Sequence, residues 1–381
     1  MYIRDENGLA EAVEVLAGSR VLALDTEFMR ERTYFARLCL IQMATDTHTF
    51  LIDTLVLDGH LSALAPLLAD PATLKVFHAG SQDIEILIRA TGVAPQPVFD
   101  TQVAATLAGF PSQVGYAQLV KETLGVNVDK ADTFTDWSVR PLTDAQLAYA
   151  AADVEYLPGV YELLRERLER EGRLAWLAED FEKMADPAFY RIEPREQYRR
   201  VKRASTLDRR SLAVLRELAA WREDEAQRRD LPKRWLLSDE SLIEIARRRP
   251  RDAGAIGAIR GVNERVASRN GAAILEAIRW GEAVPDEELP RLPKRARIPT
   301  DAQPIADLLA GILRLRAREH GVAAGLFASR DELERFAAGE RDGHPLSSGW
   351  RHTLVGAELE AVIEGRLGVR VTDGRILVEP V

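Results

Sequence analysis

Cysteine is all but missing from this chain of 381 residues, where Cys39 stands alone. An internal disulfide is excluded, a reducing cytoplasm is the expected setting, and Cys39 reads as a packing residue in an apolar strand. No apolar run approaches the roughly 20 residues of a membrane span, so no membrane partner is expected. The opening text, MYIRDENGLAEAVEVL, lacks the basic-then-apolar order of a signal peptide and reads as the start of a folded domain. Three motifs are also missing: a glycine-rich phosphate loop, CxxC and GxSxG. Their absence removes the nucleoside-triphosphatase, zinc and serine-hydrolase readings. His48, His344 and His352 lack ligand spacing with other donors.

What remains is ordinary globular composition, 46% hydrophobic and 29% charged, at a length that suggests two or three domains. The net charge of −9 speaks against a polyanionic partner until its distribution is read. From Phe189 to Thr300 there are 26 Lys and Arg against 18 Asp and Glu, a surplus of +8; the remainder carries 25 against 42. Such polarity suits a basic module that delivers an anionic polymer to an acidic, metal-binding one, and equally suits Arg-rich helices with solvated faces.

The acidic part holds the most informative text. Val21 to Leu24 read as a buried strand running into Asp25 and Glu27, and an i, i+2 pair points both carboxylates to one face, about 7 Å apart. Burying two such anions costs several kcal/mol unless a cation intervenes, and hard divalent ions such as Mg²⁺ want oxygen ligands. In LKVFHAGSQDIEIL a strand over Leu74 to Phe77 leads into a helix bearing Asp83. In LAYAAADVEYL, Tyr149 and Asp153 share a helix face at i, i+4.

In that order these segments resemble the DEDD exonucleases in their tyrosine-bearing branch. The text is closer still to the ribonuclease D family: DTEFMRERTYFARLCLIQMA, HAGSQDIEIL, FDTQVAA, TDWSVRPLT and YAAADVEYL all have its character. The resemblance implies a ribonuclease H-like α/β fold, a mixed sheet flanked by helices. The residue pattern points the same way, with a meander (VLALDTEF, LCLIQMAT, HTFLID) followed by strand–helix units. The resemblance also implies two Mg²⁺ (or Mn²⁺) per site. Asp25 would bridge both ions, Glu27 and Asp153 would complete the shell of the nucleophile-side ion, and Asp83 would hold the leaving-group ion. Tyr149 would position the attacking water; with an ordinary pKa near 10 it is a poor free base.

Other residues carry alternatives. His78 is expected to be hydrogen-bonded and to line the substrate cleft. Phe28 and Met29 either stack on the terminal base or pack in the core. Asp100 is expected to cap the helix that follows it, Ser81 is a possible cap for the Asp83 helix, and Thr143 or Asp144 would cap the helix bearing Tyr149. A kink is expected at Pro158.

The organisation expected is an exonuclease domain over 1–184, a linker over 185–206, and a helical module over 207–284. That module is similar to the helicase and ribonuclease D C-terminal (HRDC) domain in its WRE…PKRWLLSDESL…IA text. A second linker at 285–299 leads to a degenerate second helical domain at 300–381, closing in a hairpin around Asp373-Gly374.

The expected activity is 3′→5′ exoribonuclease action on the 3′ ends of structured RNA, releasing nucleoside 5′-monophosphates, with precursor tRNA implied by the resemblance. The alternatives are a DNA 3′→5′ exonuclease and a catalytically inactive RNA-binding scaffold. A scaffold has no need of four mutually repelling anions, and the helical module speaks against a proofreading enzyme. Nothing in the spacing sets an oligomeric state, and a monomer is the expectation.

Overall fold

The computed structural model describes residues 1–128, 135–292 and 299–381. The start of the polar stretch DKADTF and part of the 285–299 linker lie outside the described residues. Two compact units are present, one formed by Met1–Glu27, Leu38–Phe189 and Ala296–Val381, the other by Phe28–Arg37 and Tyr190–Arg295. No described helix is long and apolar enough to cross a membrane.

The first unit is built on a sheet of six strands: β1 (Tyr2–Ile3), β2 (Val21–Met29), β3 (Arg37–Ala44), β4 (Thr49–Asp53), β5 (Leu74–Phe77) and β6 (Val98–Asp100). Their spatial order is β1-β4-β3-β2-β5-β6. β3 and β4 pair antiparallel, with Ile41 opposite Ile52, while β2, β5 and β6 run parallel, with Ala23 opposite Val76 and Phe77 opposite Asp100. This is the mixed sheet expected. β2 sits inside the sheet, so Leu22, Ala23 and Leu24 are all buried, as a strand covered on both faces requires.

Helix boundaries follow local chemistry. Asp100 accepts from the N–H groups of Gln102 and Val103, capping helix Thr101–Leu107, and its carboxylate also takes the N–H groups of Ala79 and Gly80. One buried side chain therefore fixes the start of two helices. Ser81 is not a cap; it is the first residue of helix Ser81–Thr91, and Gly80 precedes it. Thr143 and Gln146 form a capping box on helix Asp144–Glu155. At Pro158 the chain breaks rather than kinks: a second helix, Leu157–Arg170, begins with the proline in its first turn, where a missing N–H costs nothing.

Residues 299–381 share a core with the sheet domain. Leu309, Leu313, Phe327 and Phe336 belong to the same buried cluster as Ala23, Val76, Val160 and Leu164. Trp350 stacks on Trp176 with ring centroids 5.3 Å apart and planes 4° from parallel. The C-terminal hairpin, Leu367–Thr372 against Arg375–Pro380, turns at Asp373 and Gly374, both at positive φ.

In the second unit, helices Arg209–Arg229 and Glu264–Ala283 form the main pair, so close that a Cβ on Gly281 would lie 2.4 Å from Val214 Cα. Leu212, Leu215, Leu218, Ile245, Ile274 and Ile278 make its core. Tyr198 and Val201 are buried in it as well, although their segment reads as a linker from its prolines and charges. Short 3₁₀ turns over Pro194–Arg200 let those two apolar residues face inward while the arginines stay outside.

Candidate active site

Three elements of the sheet unit deliver the acidic residues. β2 carries Asp25 and Glu27 on one face, the first turn of helix Ser81–Thr91 carries Asp83, and helix Asp144–Glu155 carries Tyr149 and Asp153. Carboxylate oxygens of Asp25, Glu27 and Asp153 all lie within 4.8 Å of one another, and each residue is partly exposed. Asp83 is buried beside them and accepts a hydrogen bond from the Thr26 hydroxyl. Tyr149 and Asp153 lie one turn apart on the same helix, and the Tyr149 hydroxyl opposes the rise that burial gives the Asp153 carboxyl. The five residues named from sequence are thus together.

Packing these anions raises every carboxyl pKa. Burial is the first cause for each. For Asp25 the charges of Asp83, Asp153 and Glu27 add to it and hold the group well above the usual carboxylate range. Glu27 is pushed up to about 8 by burial and then by Asp153 and Asp83, and Asp153 by burial to about 7. Asp83 is raised by burial, an effect the Thr26 hydroxyl opposes. The Tyr149 phenol is raised too, by burial and by Asp153, Glu27 and Asp25.

Around this centre lie supports that carry no local signal in the sequence. Arg140 donates through Nε and a terminal nitrogen to both oxygens of fully buried Asp53, at 2.7 and 2.8 Å, and also to the carbonyls of Cys39 and Trp137. Tyr2 donates its hydroxyl to the same carboxylate. Although Asp53 is buried, its hydrogen bonds from Arg140 and Tyr2 hold its pKa below the ordinary value. This anchors the loop that sets Trp137 against Tyr149, ring centroids 6.1 Å apart. Tyr116 donates to the carbonyl of Ala152, next to Asp153, at 2.8 Å. An arginine in a polar loop and a lone tyrosine carried no pattern to single them out.

His78 is hydrogen-bonded, as expected. Its ring nitrogens lie 3.0 Å from the Thr101 hydroxyl and 3.0 Å from the Val114 carbonyl, and its ring sits 5.7 Å from Tyr116. Burial lowers its pKa. Phe28 and Met29 end β2, partly buried, and group with the helical unit rather than with the carboxylates.

The sequence profile of the 3′-5′ exonuclease family matches residues 1–169, and that of the HRDC domain matches 211–278. A ribonuclease D of Gluconacetobacter diazotrophicus is 46% identical over 377 residues, covering 99% of this chain and 96% of the relative. One of Granulibacter bethesdensis is 44% identical, covering 98% and 94%. The chain belongs to the ribonuclease D family. Its fold agrees: the crystal structure of Escherichia coli RNase D, an exoribonuclease involved in structured RNA processing, matches with a TM-score of 0.82 at 31% identity, over 96% of this chain and 98% of that one.

The chain is therefore a 3′→5′ exoribonuclease acting on RNA. Its family implies a divalent metal, and the site fits one. The donors are oxygen only, three of them converge within 4.8 Å, and burial together with the neighbouring carboxylates raises the pKa of Asp25 and Glu27, the electrostatics that a hard cation bound there would relieve.

Proposed function

We propose that this ribonuclease D-type enzyme trims 3′ extensions of structured RNA, precursor tRNA among them, one nucleotide at a time, and releases nucleoside 5′-monophosphates. The convergence of Asp25, Glu27 and Asp153, with Asp83 and Tyr149 beside them, carries this reading. Asp25, Glu27 and Asp153 would hold one Mg²⁺ or Mn²⁺, and Asp25 with Asp83 a second. When bound, such a pair supplies an activated water and charge stabilisation at the leaving 3′-oxygen. The chain's own contributions are orientation and proton placement. Thr26 fixes the rotamer of Asp83, and Asp153 orients the Tyr149 hydroxyl. With its proton held by the surrounding carboxylates, that hydroxyl is a donor and positioner of the incoming water rather than a base.

His78, bonded on both sides, would shape the wall of the cleft, and Phe28 and Met29 would meet the terminal base. The surplus of positive charge over Phe189 to Thr300 suits the RNA backbone. We retain the division into an exonuclease domain (1–184), an HRDC module (207–284) and a C-terminal helical piece (300–381) as its working organisation, in a cytoplasmic monomer.

A hairpin RNA with a single-stranded 3′ extension, labelled at its 5′ end, tests the reading. The expected result is a ladder shortening by single nucleotides, 5′-monophosphate products and complete arrest by EDTA. Internal cleavage fragments, or unchanged degradation in EDTA, would contradict it.

A further inference from the structure

Helix Asp144–Glu155 ends two residues beyond Asp153, so this acidic residue sits in a last turn, where carbonyls are left without helical donors of their own. In an unbroken helix the Ala152 carbonyl would take the N–H of Tyr156. That N–H turns instead to the Val154 carbonyl, and Pro158, which has no N–H, opens the next helix. The Tyr116 hydroxyl supplies the missing donor, giving its proton to the Ala152 carbonyl at 2.8 Å. Burial raises the Tyr116 phenol, the backbone of Tyr156 opposes that rise, and the charges of Asp153 and Asp25 add to it. The hydroxyl therefore meets the broken helix end at both Ala152 and Tyr156, beside the carboxylate cluster.

Tyr116 is itself held from behind. It opens helix Tyr116–Leu124, and the Val114 carbonyl two residues earlier accepts from His78 Nε2 at 3.0 Å and from Gln102 Nε2 at 3.1 Å. The Tyr116 ring packs beside the His78 ring. Gln102 lies in the first turn of the helix capped by Asp100, whose carboxylate also takes the N–H groups of Ala79 and Gly80 ahead of Asp83. The end of β6 thus holds two elements of the site at once. It fixes the start of the helix bearing Asp83 directly and, through Gln102, Val114 and Tyr116, the last turn bearing Asp153. A helix end released from such a tie frays, because its final carbonyls have no partners within the helix.

We propose that Tyr116 is a positioning residue for the metal centre: its hydroxyl closes the broken turn at Ala152 and so holds Asp153 in place with Asp25 and Glu27 to meet a divalent ion. This role rests on the metal-centre reading above. Tyr116 acts in it through the helix backbone and touches neither ion nor RNA.

The test titrates the full chain with Mn²⁺ by calorimetry and measures kcat and KM on the hairpin RNA across Mn²⁺ concentrations. The comparison covers wild type, Tyr116→Phe, Asp153→Asn and the double variant. Phenylalanine keeps the ring beside His78 and removes only the hydroxyl. Supports of a metal ligand typically change affinity by about 10–100-fold, and for a hydroxyl acting through the backbone the expected loss is about tenfold. The Mn²⁺ dependence of turnover should shift upward by the same factor, with KM for RNA unchanged and most of kcat recovered at saturating Mn²⁺. The double variant should bind Mn²⁺ no more weakly than Asp153→Asn does. A folded Tyr116→Phe protein with wild-type Mn²⁺ affinity would overturn the role, as would a loss confined to KM or a further loss in the double variant. Should Tyr116→Phe fail to fold, Gln102→Leu, which removes one of the two donors holding Val114, decides by Mn²⁺ affinity: a smaller loss is expected, and none would overturn the role. Asp153→Asn separates the two readings. Mn²⁺ binding equal to wild type in that variant would remove Asp153 from the metal centre and this role with it; binding lost there but intact in Tyr116→Phe would sink the positioning role alone.

Discussion

At the scale of single residues, the site's chemistry is charge held together against its own repulsion. Tyr149 is proposed to position the attacking water while keeping its own proton. Tyr149→Phe keeps the ring against Trp137 and removes only the hydroxyl, which interacts with Asp153. Turnover should fall by about 10²–10³, the lower half of the range for a positioned acid–base or orienting group, with RNA and metal affinity nearly unchanged. Single-turnover cleavage at saturating Mg²⁺ checks this, and a rate equal to wild type would make Tyr149 a packing residue. The raised carboxyl pKa values have a second consequence. A carboxyl that titrates higher in the folded chain than in the unfolded one keeps its proton in the fold, so its contribution to stability is lost as pH rises through the folded value. The window runs from 4.5 to about 8 for Glu27 and from 3.8 to about 7 for Asp153. In EDTA the melting temperature should therefore fall between about pH 5 and about pH 8, and saturating Mg²⁺ should flatten or reverse that fall by binding the deprotonated ligands. Parallel curves with and without the ion would mean that these carboxyls do not meet it.

At the scale of elements, the carboxylates were legible because each announces itself through local text. DTE sits in an apolar strand, Asp83 in a first helical turn, and Tyr149 and Asp153 one turn apart. The Thr143 and Asp100 caps were legible for the same reason, since capping is a short-range rule. Supports that act over long sequence separations were not. Arg140 and Asp53 are 87 residues apart, and Tyr2 and Asp53 are 51. No periodicity connects them; only the folded chain does. The Arg140 contact yields a sharp expectation. Arg140→Met leaves Asp53 buried without its cationic partner, and breaking such a pair costs about 3–5 kcal/mol. Urea unfolding measures it, and a loss below about 1 kcal/mol, the value of a surface ion pair, would show that the anchor is unimportant.

At the scale of the whole chain, the sequence showed an apolar stripe along ADLLAGILRLRAREHG but not what that stripe covers. The stripe, on helix Ala302–His320, contributes Leu309 and Leu313 to the core of the sheet unit. Amphipathicity states that a face is buried and is silent on its partner. Trp350, stacked on Trp176, tests this packing. Burying an aromatic side chain is worth about 1.5–3 kcal/mol, and at about 2–4 °C per kcal/mol Trp350→Ala should lower the melting temperature by about 5 °C. An unchanged melting temperature would place residues 299–381 outside the cooperative core.

Asp25 is proposed to hold together a metal-dependent hydrolytic centre, and single-turnover cleavage of the 3′-extended RNA by Asp25→Asn at saturating Mg²⁺ decides whether it does. Asparagine keeps the shape, removes one of the clustered anions and relieves repulsion, so the metal-free variant should melt at or slightly above wild type. Removing the group that would bridge both ions should lower the rate by at least about 10³, more than the loss of one positioned donor. A folded variant cleaving within about tenfold of wild type, a difference of about 1.4 kcal/mol in barrier, would contradict the claim.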